Sequence, residues 1–374
     1  MGKQEKKETK GKRRRRERRQ WKSTSPFPVD LTSEILSRLP GKSIARFRCV
    51  SKLWSSIITD PYFINLFETR SSTKPSLLLC VRRDDNLFVS SITQDKAYSS
   101  SLPIIDRYHM KLPDKHCYLP PAESVHGLIC LRGPTPIVWN PSLGRLLTLP
   151  DPNKHHKLWK KITVFLGYDP IQGKHKVVCI RYKKDSYVCR VLTLGSAQEP
   201  SWRTVKINHK HRAYGYTCGR CINEFIYYLA DDGETVLMSF DVRSEKFHMI
   251  KLPSDIDEDV LINYEGKIAC TDRDNDKRLW ILEDAEKHKW SSQDFLVPLC
   301  HWDPSLETDF KLKGFTHAGE FIFEEDTFQK TSYILSCDPV RNSFRRFVSK
   351  GVRVGDDDYE IRAFPNHVES LMSL

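Results

Sequence analysis

The chain has 374 residues, of which 39% are apolar and 29% are charged, a composition typical of a soluble globular protein with two or three domains. No run approaches the roughly 18 apolar residues that span a bilayer, and the N-terminus lacks the apolar core of a secretory signal. These features exclude a membrane protein and predict an intracellular one. The eleven cysteines are therefore expected to be reduced and mostly buried.

Residues 1–24 form a basic segment that is predicted to be a disordered tail. Its first 22 residues hold twelve Lys or Arg and three Glu, which gives +9 of the chain's net charge of +12. Such a composition cannot bury enough apolar surface to offset the entropy of ordering. A nuclear-import signal, a solubilising tail and an arm for nucleic-acid phosphates all fit its basic cluster, which is Lys12, Arg13, Arg14, Arg15, Arg16, Arg18 and Arg19. We expect the protein in the nucleus, the cytoplasm or both.

Residues 25–68 have the residue spacing of short helices. The first is expected to open near Pro28 and Asp30 and to end at Pro40-Gly41, because proline cannot continue a helix. Two apolar sets recur at helical spacing: Leu31, Ile35, Leu36 and Leu39, then Ile44, Phe47, Val50, Trp54, Ile57 and Ile58 after a capping Ser43. Asp60-Pro61 is expected to stop the second run. Three short helices are predicted, too few to be stable without packing on another domain or on a partner.

The remainder, residues 69–374, is all-β by pattern. Short apolar segments such as SLLLCV (76–81), KVVCI (176–180) and EFIYYL (224–229) are separated by turn residues. No amphipathic helix longer than ten residues is predicted between them.

A degenerate hairpin recurs through this β region. Its five copies are VWNPSLGRLLTLP (138–150), GYDPIQGKHKVV (167–178), SFDVRSEKFHMIKLP (239–253), LEDAEKHKW (282–290) and SCDPVRNSFRRF (336–347). Each is predicted to bond its own turn through an Asn, Asp or Glu side chain. Units of about 40–50 residues with four strands are typical of propeller blades. The start-to-start spacings are 29, 72, 43 and 54 residues, so the number of blades stays open.

The run FPVDLTSEILSRLPGKSIARFRCVSKLWSSIITDPYF (Phe27–Phe63) closely resembles an F-box, although Phe27 stands where that family usually has leucine. Hairpins such as VWNPSLGRLLTLP resemble those of the F-box-associated domains of plant F-box proteins. The implied fold class is α+β in separate domains, with a small three-helix F-box at 25–68 and an all-β, propeller-like repeat domain at 69–374.

This resemblance implies a substrate receptor of an SCF ubiquitin ligase. The F-box would bind a Skp-type adaptor carried by a cullin scaffold, and the β domain would hold a target protein that the sequence does not identify. By position, the residues that match the family's helical interface and core, and are predicted to bind the adaptor, are Pro28, Leu31, Ile35, Leu36, Leu39, Pro40, Val50 and Trp54.

No motif predicts catalysis, a metal or a cofactor. The GKS at 41–43 resembles the end of a phosphate loop but falls among helices. DRDNDKRLWILE (Asp272–Glu283) resembles a calcium loop, yet Lys277 replaces the required glycine, and a charged hairpin fits better. CGRC (Cys218–Cys221) offers one cysteine pair where zinc needs four ligands, so a strand-turn pair is preferred over a metal or redox site. The predicted protein is a non-catalytic subunit.

Two other functions stay open at this point. One is a nucleic-acid-associated protein that uses the basic arm, and the other is a propeller enzyme with polar residues in a central channel. For target binding, the candidate loop residues are KHHK (154–157), NHKHR (208–212), Trp139, Trp159, Tyr214 and Tyr216, for which ordinary surface or core positions are the alternative.

Overall fold

The computed structural model describes residues 28–93, 105–114, 116–120, 123–133, 135–152, 162–181, 186–195, 199–214, 219–254, 256–272, 278–294, 310–325, 334–341, 343–347 and 359–374. The basic tail, including its import cluster, lies outside this range, as do KHHK, Trp159, Tyr216 and Cys218. The predictions made for those residues stay predictions.

Four helices, not the predicted three, open the described chain: α1 (Val29–Leu36), α2 (Gly41–Phe47), α3 (Lys52–Thr59) and α4 (Pro61–Ser72). They form what we call the helical domain. The side chain of Asp60 accepts a 2.8 Å hydrogen bond from the N–H of Tyr62 and so caps α4. Pro61 occupies the first turn, where its missing N–H costs nothing. Asp60-Pro61 therefore ends one helix and begins another.

The second helical run is also divided in two. The hydroxyl of Ser51 accepts a 3.1 Å bond from the N–H of Trp54 and starts α3. Ser43, which was expected to cap α2, lies inside that helix, because α2 already begins at Gly41 after Pro40. Within the described chain no helix is both long and apolar enough to cross a membrane.

Twenty-three strands follow in the described part of the chain. They are β1 (Ser76–Arg83), β2 (Asn86–Thr93), β3 (Ile105–Lys111), β4 (Ile129–Leu131), β5 (Ile137–Asn140), β6 (Arg145–Thr148), β7 (Ile162–Asp169), β8 (Lys174–Arg181), β9 (Ser186–Thr193), β10 (Arg203–Ala213), β11 (Arg220–Ile222), β12 (Phe225–Asp231), β13 (Thr235–Asp241), β14 (Phe247–Lys251), β15 (Ile256–Tyr264), β16 (Lys267–Asp272), β17 (Arg278–Asp284), β18 (Lys289–Asp294), β19 (Phe310–Phe315), β20 (Phe321–Glu325), β21 (Ile334–Asp338), β22 (Ser343–Phe347) and β23 (Tyr359–His367).

These strands form six consecutive antiparallel units. The first contains β1 to β3 and the last strand, β23, which pairs with β1. The second contains β4 to β6, and the third and fourth, β7 to β10 and β11 to β14, share one sheet through a short pairing of β10 with β12. The fifth contains β15 to β18, and the sixth contains β19 to β22.

Six apolar cores join these units into a closed ring, which we call the β ring. Each core draws side chains from two successive units. Leu78 of the first unit packs with Trp139 of the second, and Phe165 of the third packs with Phe240 of the fourth. The ring is completed where Ile322 of the sixth unit packs against Ile361 of β23. Pairing of the C-terminal strand with β1 thus links the end of the chain to its first strand.

The predicted turn chemistry is confirmed in the repeated hairpins. Oδ1 of Asp169, Asp241, Asp284 and Asp338 each accepts two N–H groups of its own turn at 2.8–3.1 Å. Asn140 accepts one such bond, from Leu143. The uneven spacing also has a cause, because the hairpin at Asp169 joins the first two strands of its unit, whereas the others join the last two.

Candidate functional site

Helix α1 turns an apolar face to solvent. Val29, Leu31 and Ile35 are 52%, 45% and 50% exposed. Leu31 and Ile35 are one turn apart, so they are neighbours on the helix surface. The buried residues of α1 are Thr32, Ser33 and Leu36.

The orientation of α1 is the reverse of what a self-contained domain favours. Two small hydroxyl residues face the protein, where Thr32 donates to the carbonyl of Pro28 and Ser33 to that of Val29, at 3.1 and 2.9 Å. Three larger aliphatic side chains face water, although burying each would contribute about 1.5–3 kcal/mol. An exposed apolar face of this kind is a candidate site for protein–protein contact.

The other predicted adaptor residues divide between surface and core. Pro28, Pro40 and Val50 are exposed, and Val50 is 63% exposed. Leu39 and Trp54 are partly buried, and Trp54 packs edge to face on Phe47 with 4.9 Å between ring centroids. Leu36 differs from the other seven because it is 2% exposed and belongs to the core. Leu36 therefore packs in the core of the helical domain, and its contact with the adaptor stays a prediction.

The core beneath the exposed face holds α1 in this orientation. It consists of Leu36, Ile44, Ile57, Ile58, Phe63 and Phe67. An ion pair adds to it, since Nη2 of Arg70 in α4 lies 2.8 Å from Oε1 of Glu34 in α1. Hydrogen bonds from Arg70 and then Arg38 lower the pKa of Glu34. Glu34 therefore stays charged at neutral pH and keeps α1 tied to α4.

The segment that follows β23, residues 368–374, which we call the C-terminal segment, fixes the helical domain on the β ring. Glu369 accepts a 2.9 Å bond from the N–H of Gly41 and pairs with Arg107 of β3. Its own N–H donates to the hydroxyl of Ser71 in α4 at 2.6 Å. Leu371 packs against the core of the helical domain. The exposed face of α1 is therefore held at a defined position relative to the ring.

Several other predicted candidates have structural positions. Trp139 is fully buried in the core between the first two units and is not a loop residue. NHKHR lies within strand β10, where His211 is buried and bonded to the hydroxyl of Tyr228, and not in a loop. Tyr214 is partly buried and packs on the core between the fourth and fifth units.

The described cysteines and the described parts of the calcium-like segment have defined positions in the structure. Nine cysteines are free thiols there, Cys221 among them, and no group of three metal-ligating side chains occurs among the described residues. Asp272, the first residue of the calcium-like segment, ends β16, and residues 278–283 lie in β17. The two strands pair antiparallel, as expected for a hairpin.

Sequence reasoning missed Val29 and Glu369. Val29 is an exposed apolar residue next to the predicted Pro28, and helical projection of α1 would have found it. Glu369 lies 328 residues from its partner Gly41, and no local pattern signals that contact.

The comparisons with known proteins match both halves of this structure. The family model for the F-box domain matches residues 25–66, and that for the F-box associated beta propeller domain matches residues 76–368. This chain is an F-box protein. The helical domain is thus the F-box, and the β ring is the F-box-associated propeller.

Relatives in Arabidopsis thaliana extend the match to the full chain. The relative named "Putative F-box protein At1g47790" is 55% identical to this chain, and the match covers 100% of both chains. F-box protein At1g48060 is 40% identical over 93% of each, and F-box protein At5g18160 is 37% identical over 94% of this chain and 92% of its own. F-box proteins are in general non-catalytic adaptors, and the F-box with its propeller supports a substrate-receptor role.

Proposed function

We propose that this protein is the substrate-receptor subunit of an SCF-type ubiquitin ligase. The F-box binds a Skp-type adaptor and, through it, a cullin scaffold, while the propeller holds a target protein. The observation that carries the proposal is the outward apolar face of α1, where Leu31 and Ile35 lie exposed above a buried core. Family membership independently supports this face as the adaptor site.

The mechanism is tethering without chemistry by this subunit. Holding a target near the ubiquitin donor raises its effective concentration, and a fixed tether converts a bimolecular step into an intramolecular one. The bonds of Glu369 to α2, α4 and β3 support this role, because they hold the adaptor face at one orientation to the propeller.

The decisive experiment is capture of a recombinant Skp-type adaptor by Leu31→Asp and Ile35→Asp variants. Each places a carboxylate on the exposed face without touching the core, so the F-box should fold and capture should fall at least tenfold. Leu36→Asp would unfold the domain and is not informative, because Leu36 is a core residue.

The matched control is Val340→Asp. Val340 is 92% exposed in the β21–β22 turn of the propeller, so this variant makes the same apolar-to-acid change far along the chain from the F-box. Its adaptor capture should equal that of the wild type. Undiminished capture by both α1 variants would contradict the proposal.

We further propose that the basic cluster Lys12–Arg19 directs nuclear import. A fluorescent fusion that lacks residues 12–19 should shift from the nucleus to the cytoplasm. An unchanged distribution would leave this segment as a solubilising tail.

A further inference from the structure

A cleft of about 750 Å³ lies between the F-box and the first unit of the propeller. Its F-box walls come from the α1–α2 connection, α2 and α4. Its propeller walls come from β1, β2, β3, the β5–β6 turn, the end of β23 and Glu369. The volume falls within the roughly 300–1,000 Å³ of small-molecule sites.

The cleft is strongly basic. Six cationic side chains line it: Arg38, Lys42, Arg46, Arg70, Lys74 and Arg107. Two carboxylates oppose them, since Glu369 pairs with Arg107 and Glu34 pairs with both Arg38 and Arg70. Six positive and two negative charges leave a formal excess of four. Within the described residues, Lys42, Arg46 and Lys74 have no carboxylate partner.

Neutral donors add to these charges. The hydroxyls of Ser71, Ser91 and Ser142 line the cleft and accept hydrogen bonds from the N–H of Glu369, Nε of Arg107 and the N–H of Ser370, at 2.6, 2.8 and 3.0 Å. A hydroxyl that accepts such a bond keeps its own proton to donate. Three hydroxyl groups with a proton left to donate therefore line the cleft beside the cations.

We propose that this cleft binds a small, multiply charged anion of the phosphate class, which bridges the F-box and the propeller. Lysine and arginine are the side chains that bind phosphate oxygens best, and charge-assisted hydrogen bonds of this kind are short and strong. The ligand would contact Lys42, Ser71 and Lys74 on the F-box side. On the propeller side it would contact Arg107, Ser91 and Ser142.

The phenyl and phenol rings of the cleft, Phe67 and Tyr108, argue against nucleic-acid bases as the ligand. Phe67 is buried in the core of the F-box and offers no open face. Single-stranded nucleic acids need open aromatic faces for stacking. The ammonium of Lys42 lies over the ring of Tyr108, 4.8 Å from the ring centroid. The hydroxyl of Tyr108 donates to the carbonyl of Pro141 at 2.7 Å. The cleft thus offers charge and hydroxyls but no free stacking surface.

The test is calorimetric titration of the full chain with inorganic tripolyphosphate. The Lys42→Glu/Lys74→Glu double variant should bind about tenfold or more weakly, because it reverses two of the unpaired charges. The Lys206→Glu/Lys251→Glu double variant is the matched control, since both lysines are exposed and lie in β10 and β14 of the propeller. It changes net charge equally and retains the basic tail, so its affinity should stay within twofold of the wild type.

Thermal unfolding supplies a second measurement. Tripolyphosphate should raise the unfolding midpoint of the wild type and of the control, because a ligand of the native state stabilises that state. It should not raise the midpoint of the cleft variant.

If the double variant fails to fold, the exposed Lys74→Glu change alone keeps the comparison. Equal loss in the cleft and control variants, or no binding by the wild type, would overturn the proposal. Tighter binding of a phosphoserine peptide than of tripolyphosphate would overturn the assignment to a free small anion.

Discussion

The backbone N–H of Gly41 donates a 2.9 Å hydrogen bond to Oε2 of Glu369, a residue 328 positions later in the chain. This bond joins the start of α2 to the segment that follows the last strand. Because Glu369 also pairs with Arg107 of β3, one carboxylate connects the F-box to the propeller.

Glu369→Ala should weaken that connection. The N–H of Gly41 loses this acceptor. Arg107, whose side chain is 19% exposed, loses this counter-charge. Leaving such groups unsatisfied costs about 1–3 kcal/mol. We expect a lower unfolding midpoint and faster proteolysis near residues 73–75, between α4 and β1. The exposed Glu199→Ala variant should match the wild type, and equal proteolysis of the two variants would count against this role of Glu369.

Two isoleucines of the F-box should respond in opposite ways to truncation. Ile44 is fully buried, so Ile44→Ala should cost about 2–5 kcal/mol of stability, because it leaves a cavity in a small core. Ile35 is half exposed, so Ile35→Ala should cost about 1 kcal/mol or less. Urea unfolding followed by the helical circular dichroism signal measures both. Similar losses for the two would show that α1 is not oriented as described.

Stability should fall in mild acid because of two buried histidines. Burial lowers the pKa of His175 from 6.5 to about 4 and that of His367 from 6.5 to about 3. The folded protein keeps both rings neutral, whereas the unfolded chain takes up protons below pH 6.5. The stability present above pH 6.5 is therefore lost as the pH falls toward 4 for His175 and toward 3 for His367.

The histidine effect can be isolated with one substitution. His175→Gln should flatten the plot of unfolding midpoint against pH between 6.5 and 4, because the replacement does not titrate. The exposed His248→Gln variant should keep the slope of the wild type. An unchanged slope in His175→Gln would assign the acid sensitivity to other groups.

The contact between the third and fourth propeller units depends on a glycine. A Cβ at Gly167 of β7 would lie 2.6 Å from Cγ2 of Val242 and 2.7 Å from Cδ1 of Ile226. Gly167→Ala should therefore cost about 1–3 kcal/mol through overpacking. Gly314→Ala is the control, because its Cβ would meet Cγ of Pro365 at an ordinary 3.4 Å. Equal unfolding midpoints for the two variants would contradict the close approach.

Local chemistry explains which parts of this fold could be predicted. Asp169, Asp241, Asp284 and Asp338 each accept backbone N–H groups of their own turn, so these roles followed from the local sequence. Asp60-Pro61 was interpreted only as a stop, although the same pair caps and starts α4. The spacing of the repeated hairpins did not reveal the number of units, because the hairpin at Asp169 joins the first two strands of its unit and the other four hairpins join the last two.

Long-range packing explains what could not be predicted. Leu36 and Ile35 are adjacent and both apolar, and only the packed core shows that one is buried and the other exposed. Trp139 was assigned to a loop for its aromatic character, whereas the core between the first and second units buries it. The cleft between F-box and propeller joins side chains from both ends of the chain, a juxtaposition that no local pattern encodes.

The pairing of β23 with β1 has a consequence for biosynthesis. Residues 359–374 are synthesised after the other strands of the ring, and they supply both the closing strand and Glu369. Until then the nascent polypeptide presents the unpaired edge of β1, a hazard for aggregation. A stop codon before residue 359 would therefore leave the ring open and the F-box without its bond to Glu369.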